Sequence, residues 1–212
     1  MDMHKGIFIT FEGNDGCGKT TVSRRIYDIL KQQGYPVIYT REPGGISIAE
    51  QIREIILNPD NTAMDARTEA LLYAASRRQH LIEKILPALA DGKIVLCDRF
   101  IDSSLAYQGV GRGLGIEEVL HMNGFAVEDH MPDATVFLDV SFETGMKRVQ
   151  LRGNKDRLDN EAKEFHLLVA KGYEEVKRRF ADRIYCVDAN DALDDVIAHT
   201  YETIMEILKR YV

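Results

Sequence analysis

Two rhythms of apolar positions alternate along this chain. Five short runs are apolar and rich in β-formers: Gly6–Phe11, Pro36–Thr40, Ile94–Cys97, Ala134–Val140 and Arg183–Val187. Four of them are nearly continuous apolar runs, the pattern of strands covered on both faces. Between them the apolar spacing is helical, over Lys19–Gln33, Ile48–Leu57, Thr68–Ala90, Ile116–Ala126, Phe142–Arg152, Asn160–Ala181 and Ala192–Arg210. Strands alternating with helices predict an α/β fold, a doubly wound parallel five-stranded sheet with helices on both faces. Right-handed crossovers then place a site at the carboxyl ends of the strands. No repeat, low-complexity tract or linker interrupts the pattern, so a single domain over residues 1–212 is expected.

Composition narrows the class. A 45% apolar and 29% charged chain of 212 residues is long enough to bury a core and ordinary for a globular enzyme. No apolar run approaches the ~20 residues of a membrane span, so no membrane partner is expected. Met1-Asp2-Met3-His4-Lys5 lacks the basic start and apolar stretch of an export signal. Cys17, Cys97 and Cys186 are odd in number and widely spaced, which fits a reducing cytoplasm better than a disulfide framework. The histidines form no paired motif for a transition metal. A net charge of −7 disfavours nucleic acid as a partner, yet leaves room for arginines focused in a cleft on a small anion.

Gly13-Asn14-Asp15-Gly16-Cys17-Gly18-Lys19-Thr20 satisfies G-x-x-x-x-G-K-[ST] between a predicted strand and a predicted helix. Glycines let backbone N–H groups converge on phosphate, and the helix N-terminus adds its positive end. Lys19 is expected to reach the β- and γ-phosphates of ATP, and Thr20 to offer a hydroxyl to Mg²⁺. Ile94–Cys97 runs into Asp98, a carboxylate placed to bind Mg²⁺ directly or through water. Cys17 reads as a small residue tolerated by the loop. A GTPase switch is disfavoured. Asn154-Lys155-Asp156-Arg157 starts like N-K-x-D but ends in Arg157, and Asp98 is followed by Arg99-Phe100-Ile101 rather than D-x-x-G.

Phe11-Glu12-Gly13-Asn14-Asp15-Gly16, Thr40-Arg41-Glu42-Pro43-Gly44-Gly45, Asp98-Arg99-Phe100 and Ser103-Ser104-Leu105-Ala106-Tyr107-Gln108-Gly109 together resemble thymidylate kinase of the bacterial type, in order and spacing, over nearly the whole chain. The resemblance implies transfer of the γ-phosphoryl group of ATP-Mg²⁺ to dTMP, a step of dTTP biosynthesis, by a homodimer. Runner-up acceptors are dUMP and other deoxynucleoside monophosphates.

The family's roles carry over by position. Arg99 would hold the acceptor phosphate, as a planar guanidinium can bind two of its oxygens. Arg41 and Glu42 would border that phosphate and the water around Mg²⁺, and Arg53 would be a second phosphate ligand. Tyr73 and Arg77, four apart on one helix, would stack on thymine and donate to its O4. Ser104 and Gln108 repeat that spacing and would bond the pyrimidine edge. Tyr107 would pack against the sugar C2′, and Asp15 would face the 3′-hydroxyl. Asp188-Ala189-Asn190 would lie beside the adenine, and Arg78 is expected to be solvated.

The basic stretch Arg148–Asp159 reads as a mobile lid, approximately residues 148–159. The loop segment Asp15-Gly16-Cys17 carries no arginine, so the cation that stabilises the transferring phosphoryl group is expected from Arg152 or Arg157, which the sequence does not rank.

Overall fold

The computed structural model describes residues 6–151 and 156–211. Five parallel strands form one sheet in the order β2-β3-β1-β4-β5: β1 (Ile7–Glu12), β2 (Val37–Arg41), β3 (Ile94–Asp98), β4 (Ala134–Asp139) and β5 (Ile184–Asp188). Each lies within one residue of its expected place. The central strands β3, β1 and β4 are almost wholly buried.

The alternation of β1 shows how the two faces divide. Ile7, Ile9 and Phe11 point into a core built with α1 (Lys19–Gln32) and α9 (Leu193–Tyr211), where Val22, Ile26, Leu30, Ile204 and Ile207 meet them. Phe8 points into the opposite core, with Leu81, Ile85, Phe100 and Leu105. On that second face Thr10 and Glu12 follow Phe8 and are fully buried, so the interior turns polar toward the carboxyl end of the sheet. Arg183 answers part of this polarity. It bonds both oxygens of Asp102 at 2.6 and 2.8 Å and the hydroxyl of Thr135, which in turn meets Thr10.

The remaining helices are α2 (Ser47–Leu57), α3 (Ala66–His80), α4 (Leu86–Ala90), α5 (Ile101–Ser104), α6 (Ile116–Val127), α7 (Phe142–Gln150) and α8 (Lys163–Arg179). The expected helix Thr68–Ala90 is one helical path that widens into a π turn at Leu81–Ile85, where Leu86 N–H bonds the Leu81 carbonyl. Pro87 explains the widening. It has no N–H to donate and its ring crowds the preceding turn, so the backbone opens just before it.

A second π segment, Leu105–Gly111, continues α5; the apolar spacing did not mark a helix there, although the Ser104 and Gln108 spacing implied one. Gly109 and Gly111 lower its helix propensity, and tertiary packing holds it instead. Gly172 of α8 lets the two backbones touch, since a Cβ there would stand 2.9 Å from the Ala106 carbonyl oxygen.

Candidate active site

The carboxyl ends of β1, β2 and β3 open onto a cleft of about 250 Å³. Its floor is the loop from Glu12 to Lys19. Gly16 is left-handed at φ 78°, and a Cβ on it would lie 2.1 Å from the carbonyl of Gly145 in α7. Only glycine fits there, which presses the loop against α7. Gly18, at φ 88°, opens α1. Lys19 lines the cleft, and its Nζ donates to the carbonyls of Gly13 at 2.7 Å and Asn14 at 3.1 Å. Gly13, Asn14 and Cys17 of the same loop do not line the cleft; Cys17 is buried in the core beside α1, and its N–H bonds the Asn14 carbonyl. Thr20 Oγ1 donates to Asp98 Oδ2 at 2.5 Å, joining the start of α1 to the end of β3.

Arg99 follows Asp98 in a left-handed conformation, φ 70°, unusual for a residue with a Cβ. This turn aims its guanidinium into the cleft. Nη1 donates to Ser103 Oγ at 3.0 Å and Tyr173 Oη at 2.9 Å; Nη2 donates to Asp15 Oδ1 at 2.6 Å. Tyr107 donates to the other Asp15 oxygen at 2.6 Å, and its ring lies under Arg99. Burial alone would raise the Asp15 carboxyl, but Arg99 and Lys19 outweigh it and hold the pKa below its ordinary value.

Beneath Arg99 lies Glu12, a carboxylate to which the sequence pattern attaches no role. Its carboxylate accepts from the Phe100 and Ser103 backbone N–H groups, from Ser103 Oγ at 2.6 Å and from Tyr173 Oη at 3.0 Å. Burial first, then the neighbouring Asp102, push the Glu12 carboxyl from 4.5 up to about 7, against the pull of Arg99. The folded protein therefore keeps a proton on Glu12 through a window where the unfolded chain has lost it. That contribution to stability is complete below the unfolded pKa and is lost as pH rises to about 7, a decline on the order of 3 kcal/mol. Glu12→Gln is expected to flatten the fall in unfolding free energy between about pH 5 and pH 8. Urea unfolding across that range checks this, and an unchanged slope contradicts it.

The far end of the cleft is built from α3 and the π segment. Tyr73 and Arg77 line it together, as do Ser104 and Gln108. Arg77 is fully buried and held on several sides: Nε donates to Glu42 at 2.9 Å, Nη1 to Asn123, and Nη2 to the Phe100 carbonyl and to Ser104 Oγ at 3.0 Å. Burial, and after it the charge of Glu69, raise the Tyr73 phenol and keep it neutral. Arg41 and Arg53 flank the middle. Both donate to the Pro43 carbonyl at 2.9 Å, and Arg41 also makes a two-pronged pair with Glu50.

Three expectations meet a different geometry. Glu42 lines the cleft, but its oxygens bond Arg77 and His80, so it orients Arg77 rather than standing free for a water network. Arg157 does not line the cleft. It is buried with Nη2 on Glu69 at 2.6 Å and Nε on the Ile56 carbonyl at 2.8 Å, so its charge is neutralised on α3. Arg78 is half-exposed, as expected of a solvated arginine, but it is paired with Glu128 and bonds the Ala126 carbonyl. Arg152 lies outside the described residues. From the rest of the expected lid, Asp156, Leu158 and Asp159 line the cleft, and Arg148 bridges the Gly16 and Ala189 carbonyls. That bridge sets the Asp188–Asn190 turn beside the phosphate loop, while Asp188 caps the turn through Asn190.

Known proteins bear on this cleft. Residues 11–199 match the sequence model of a family described as Thymidylate kinase. A thymidylate kinase of Bacillus velezensis is 57% identical over 207 residues, covering 97% of this chain and 98% of that protein. One from Clostridium novyi is 54% identical over 196 residues, 92% of this chain and 96% of the other. The crystal structure of thymidylate kinase from Ehrlichia chaffeensis superimposes with a TM-score of 0.76 at 30% identity, covering 94% of this chain and 98% of that one.

Proposed function

The chain belongs to the thymidylate kinase family, and from that premise we propose how its cleft carries out the reaction. The protein is a phosphotransferase that converts dTMP to dTDP with ATP as donor. The donor's phosphates lie along the loop N–H groups and the start of α1, with Lys19 turning from the loop carbonyls to the β- and γ-phosphates. Arg99, backed by Asp15, Ser103 and Tyr173, holds the acceptor phosphate in line with the γ-phosphorus, and Arg41 and Arg53 add positive charge at its side. The acceptor phosphate is itself an anionic nucleophile, so no general base is required.

Family activity depends on Mg²⁺ with ATP, and Thr20 and Asp98 fit that ion. A hydroxyl and a carboxylate, both hard oxygen donors, meet at the cleft's edge, and Mg²⁺ favours oxygen ligands completed by water. When bound, the ion offsets charge on the donor phosphates.

One observation carries the acceptor assignment: Tyr73, Arg77, Ser104 and Gln108 share the cleft with Arg99 and Lys19. Tyr73 supplies a face for stacking, and Arg77 a donor for the O4 keto oxygen of thymine, where cytosine presents an amino donor instead. With ATP saturating, a panel of monophosphates is expected to rank dTMP first, dUMP weaker and dCMP poor. Equal turnover of dCMP and dTMP contradicts the base pocket.

The homodimer is proposed through α2, α3 and α6. What supports it is an apolar face left open there: Ile48 and Ile55 on α2, Leu71 on α3, Ile82 just beyond it, and Phe125 on α6, which is 93% exposed. A face of this kind on neighbouring helices marks an interface. Residues 148–159 are proposed to act as the lid of a single domain. A cytoplasmic setting is supported by Cys17, Cys97 and Cys186, all free thiols. Among the described residues, no helix is long and apolar enough to cross a membrane.

A further inference from the structure

Gln108 enters the cleft from the π segment Leu105–Gly111. Its side-chain amide has two ends of nearly the same shape and opposite chemistry, an accepting Oε1 and a donating Nε2. Which end meets the base decides which base edge is accepted. Here the choice is imposed from behind the cleft. Nε2 donates to Glu69 Oε1 at 2.8 Å, and that bond is buried. Glu69 itself is fully buried and collects cations. Arg112 donates Nε to both its oxygens at 3.2 Å and Nη2 to one at 3.0 Å; Arg157 donates Nη2 at 2.6 Å. Burial alone would raise the Glu69 carboxyl, but the bonds from Arg112, Gln108 and Arg157 outweigh it and hold it below its ordinary value. Glu69 is therefore an ionised group that can only accept. A flipped Gln108 would set one buried acceptor against another with no proton between them.

We propose that Glu69 is a specificity-positioning residue: it locks the Gln108 amide so that Oε1 faces the base, and the cleft then selects a ring that offers an N–H at that edge. Thymine and uracil offer N3–H. Cytosine presents a lone pair at N3, which would face Oε1 with no proton shared. This inference rests on the base pocket assigned above and adds to it a residue that does not touch the substrate. Arg77 reads the neighbouring O4 position, so discrimination against cytosine is divided between a donor at Arg77 and an enforced acceptor at Gln108. Glu69 also joins Arg157 and, through Arg112, Glu161 to that lock, so the turn after residue 156 takes part in base selection.

The test compares kcat/KM for dTMP and dCMP at saturating ATP in the wild-type protein and three variants. Glu69→Gln replaces the acceptor-only group by an amide that can turn either way. Glu69→Gln with Arg157→Met removes the buried guanidinium left without its counter-charge, and keeps the test available if the single variant does not fold. Glu69→Gln with Gln108→Glu returns an acceptor-only group to the cleft. In the first two the dTMP-over-dCMP ratio is expected to fall at least about tenfold, the size of one mispaired buried hydrogen bond, with KM for ATP unmoved. The third is expected to recover most of the ratio. A folded Glu69→Gln variant that keeps the wild-type ratio, or a third variant that fails to recover it, overturns the inference. A wild-type protein that does not distinguish dTMP from dCMP overturns the base pocket itself, whereas a wild-type preference that survives the variants overturns the role of Glu69 alone.

Discussion

Arg99→Ala is expected to lower kcat/KM for dTMP by about 10³-fold or more, with the acceptor KM raised and KM for ATP little changed. The side chain sits at the carboxyl end of β3 in a left-handed turn and is fixed by Asp15, Ser103 and Tyr173, with Glu12 holding the last two from below. Burial works against its charge, but Tyr107, Tyr173, Asp15 and Glu12 outweigh it and raise its pKa, so the guanidinium stays charged. A preorganised cation at the phosphate costs little reorganisation when the reaction occurs, which is why its loss falls on kcat as well as KM. Lys19→Ala should fail differently, with the damage falling on ATP use, because Lys19 belongs to the donor loop. Arg99→Lys keeps the charge but loses the fork, and should fall between wild type and Arg99→Ala. Initial-rate kinetics with each substrate varied in turn checks this. An Arg99→Ala protein with intact dTMP kinetics and damaged ATP use would show that the roles are exchanged.

Arg152→Ala and Arg157→Ala are expected to separate. Both were candidates for the cation at the transferring phosphoryl group, and the structure distinguishes one of them. Arg157 is buried against Glu69 and the Ile56 carbonyl, so its loss leaves a buried carboxylate short of a partner. The expected cost is about 3 kcal/mol of stability, with Arg112 and Gln108 still bonding Glu69. Its kcat at saturating substrates should fall much less. Arg152→Ala is expected to leave stability unchanged and lower kcat by more than about 10²-fold, as loss of a transition-state cation does. Urea unfolding and kcat, measured on both variants, decide. If Arg157→Ala folds normally and loses kcat while Arg152→Ala does neither, the assignment is reversed. If neither variant loses kcat, the cation lies at Arg41, Arg148 or Lys19.

That pair also shows where the sequence stops informing. The sheet was legible because each strand is an apolar run bounded by polar turns, and a buried parallel strand has few other ways to look. The phosphate loop was legible because its chemistry is local, eight consecutive residues between a strand and a helix. Arg157 was not, since its partner Glu69 is 88 residues away and no local pattern links the two. Glu12 left a faint trace, a carboxylate at the end of an apolar strand, in register with Phe8 rather than Phe11. Nothing in the sequence announced Tyr173, which joins it from 161 residues downstream. The apolar pattern of the helical stretch after Phe100 was broken by Gly109 and Gly111, which fit because Ile116 of α6 comes close to the first and Phe165 and Val169 of α8 to the second. Tyr73, Arg77, Ser104 and Gln108 are proposed as a base pocket on resemblance and helical spacing together. That they are backed by Glu42, Glu69 and Asn123 is a product of packing among the turn after β2, α3, the π segment and α6.

This cleft passes the γ-phosphoryl group of ATP directly to dTMP. The most direct test is to supply ATP carrying a radiolabelled γ-phosphate with Mg²⁺ and follow the label with and without dTMP. Label is expected in dTDP in proportion to ATP consumed, with almost no free phosphate when dTMP is withheld. Labelled free phosphate released at the same rate whether or not dTMP is present would contradict direct transfer.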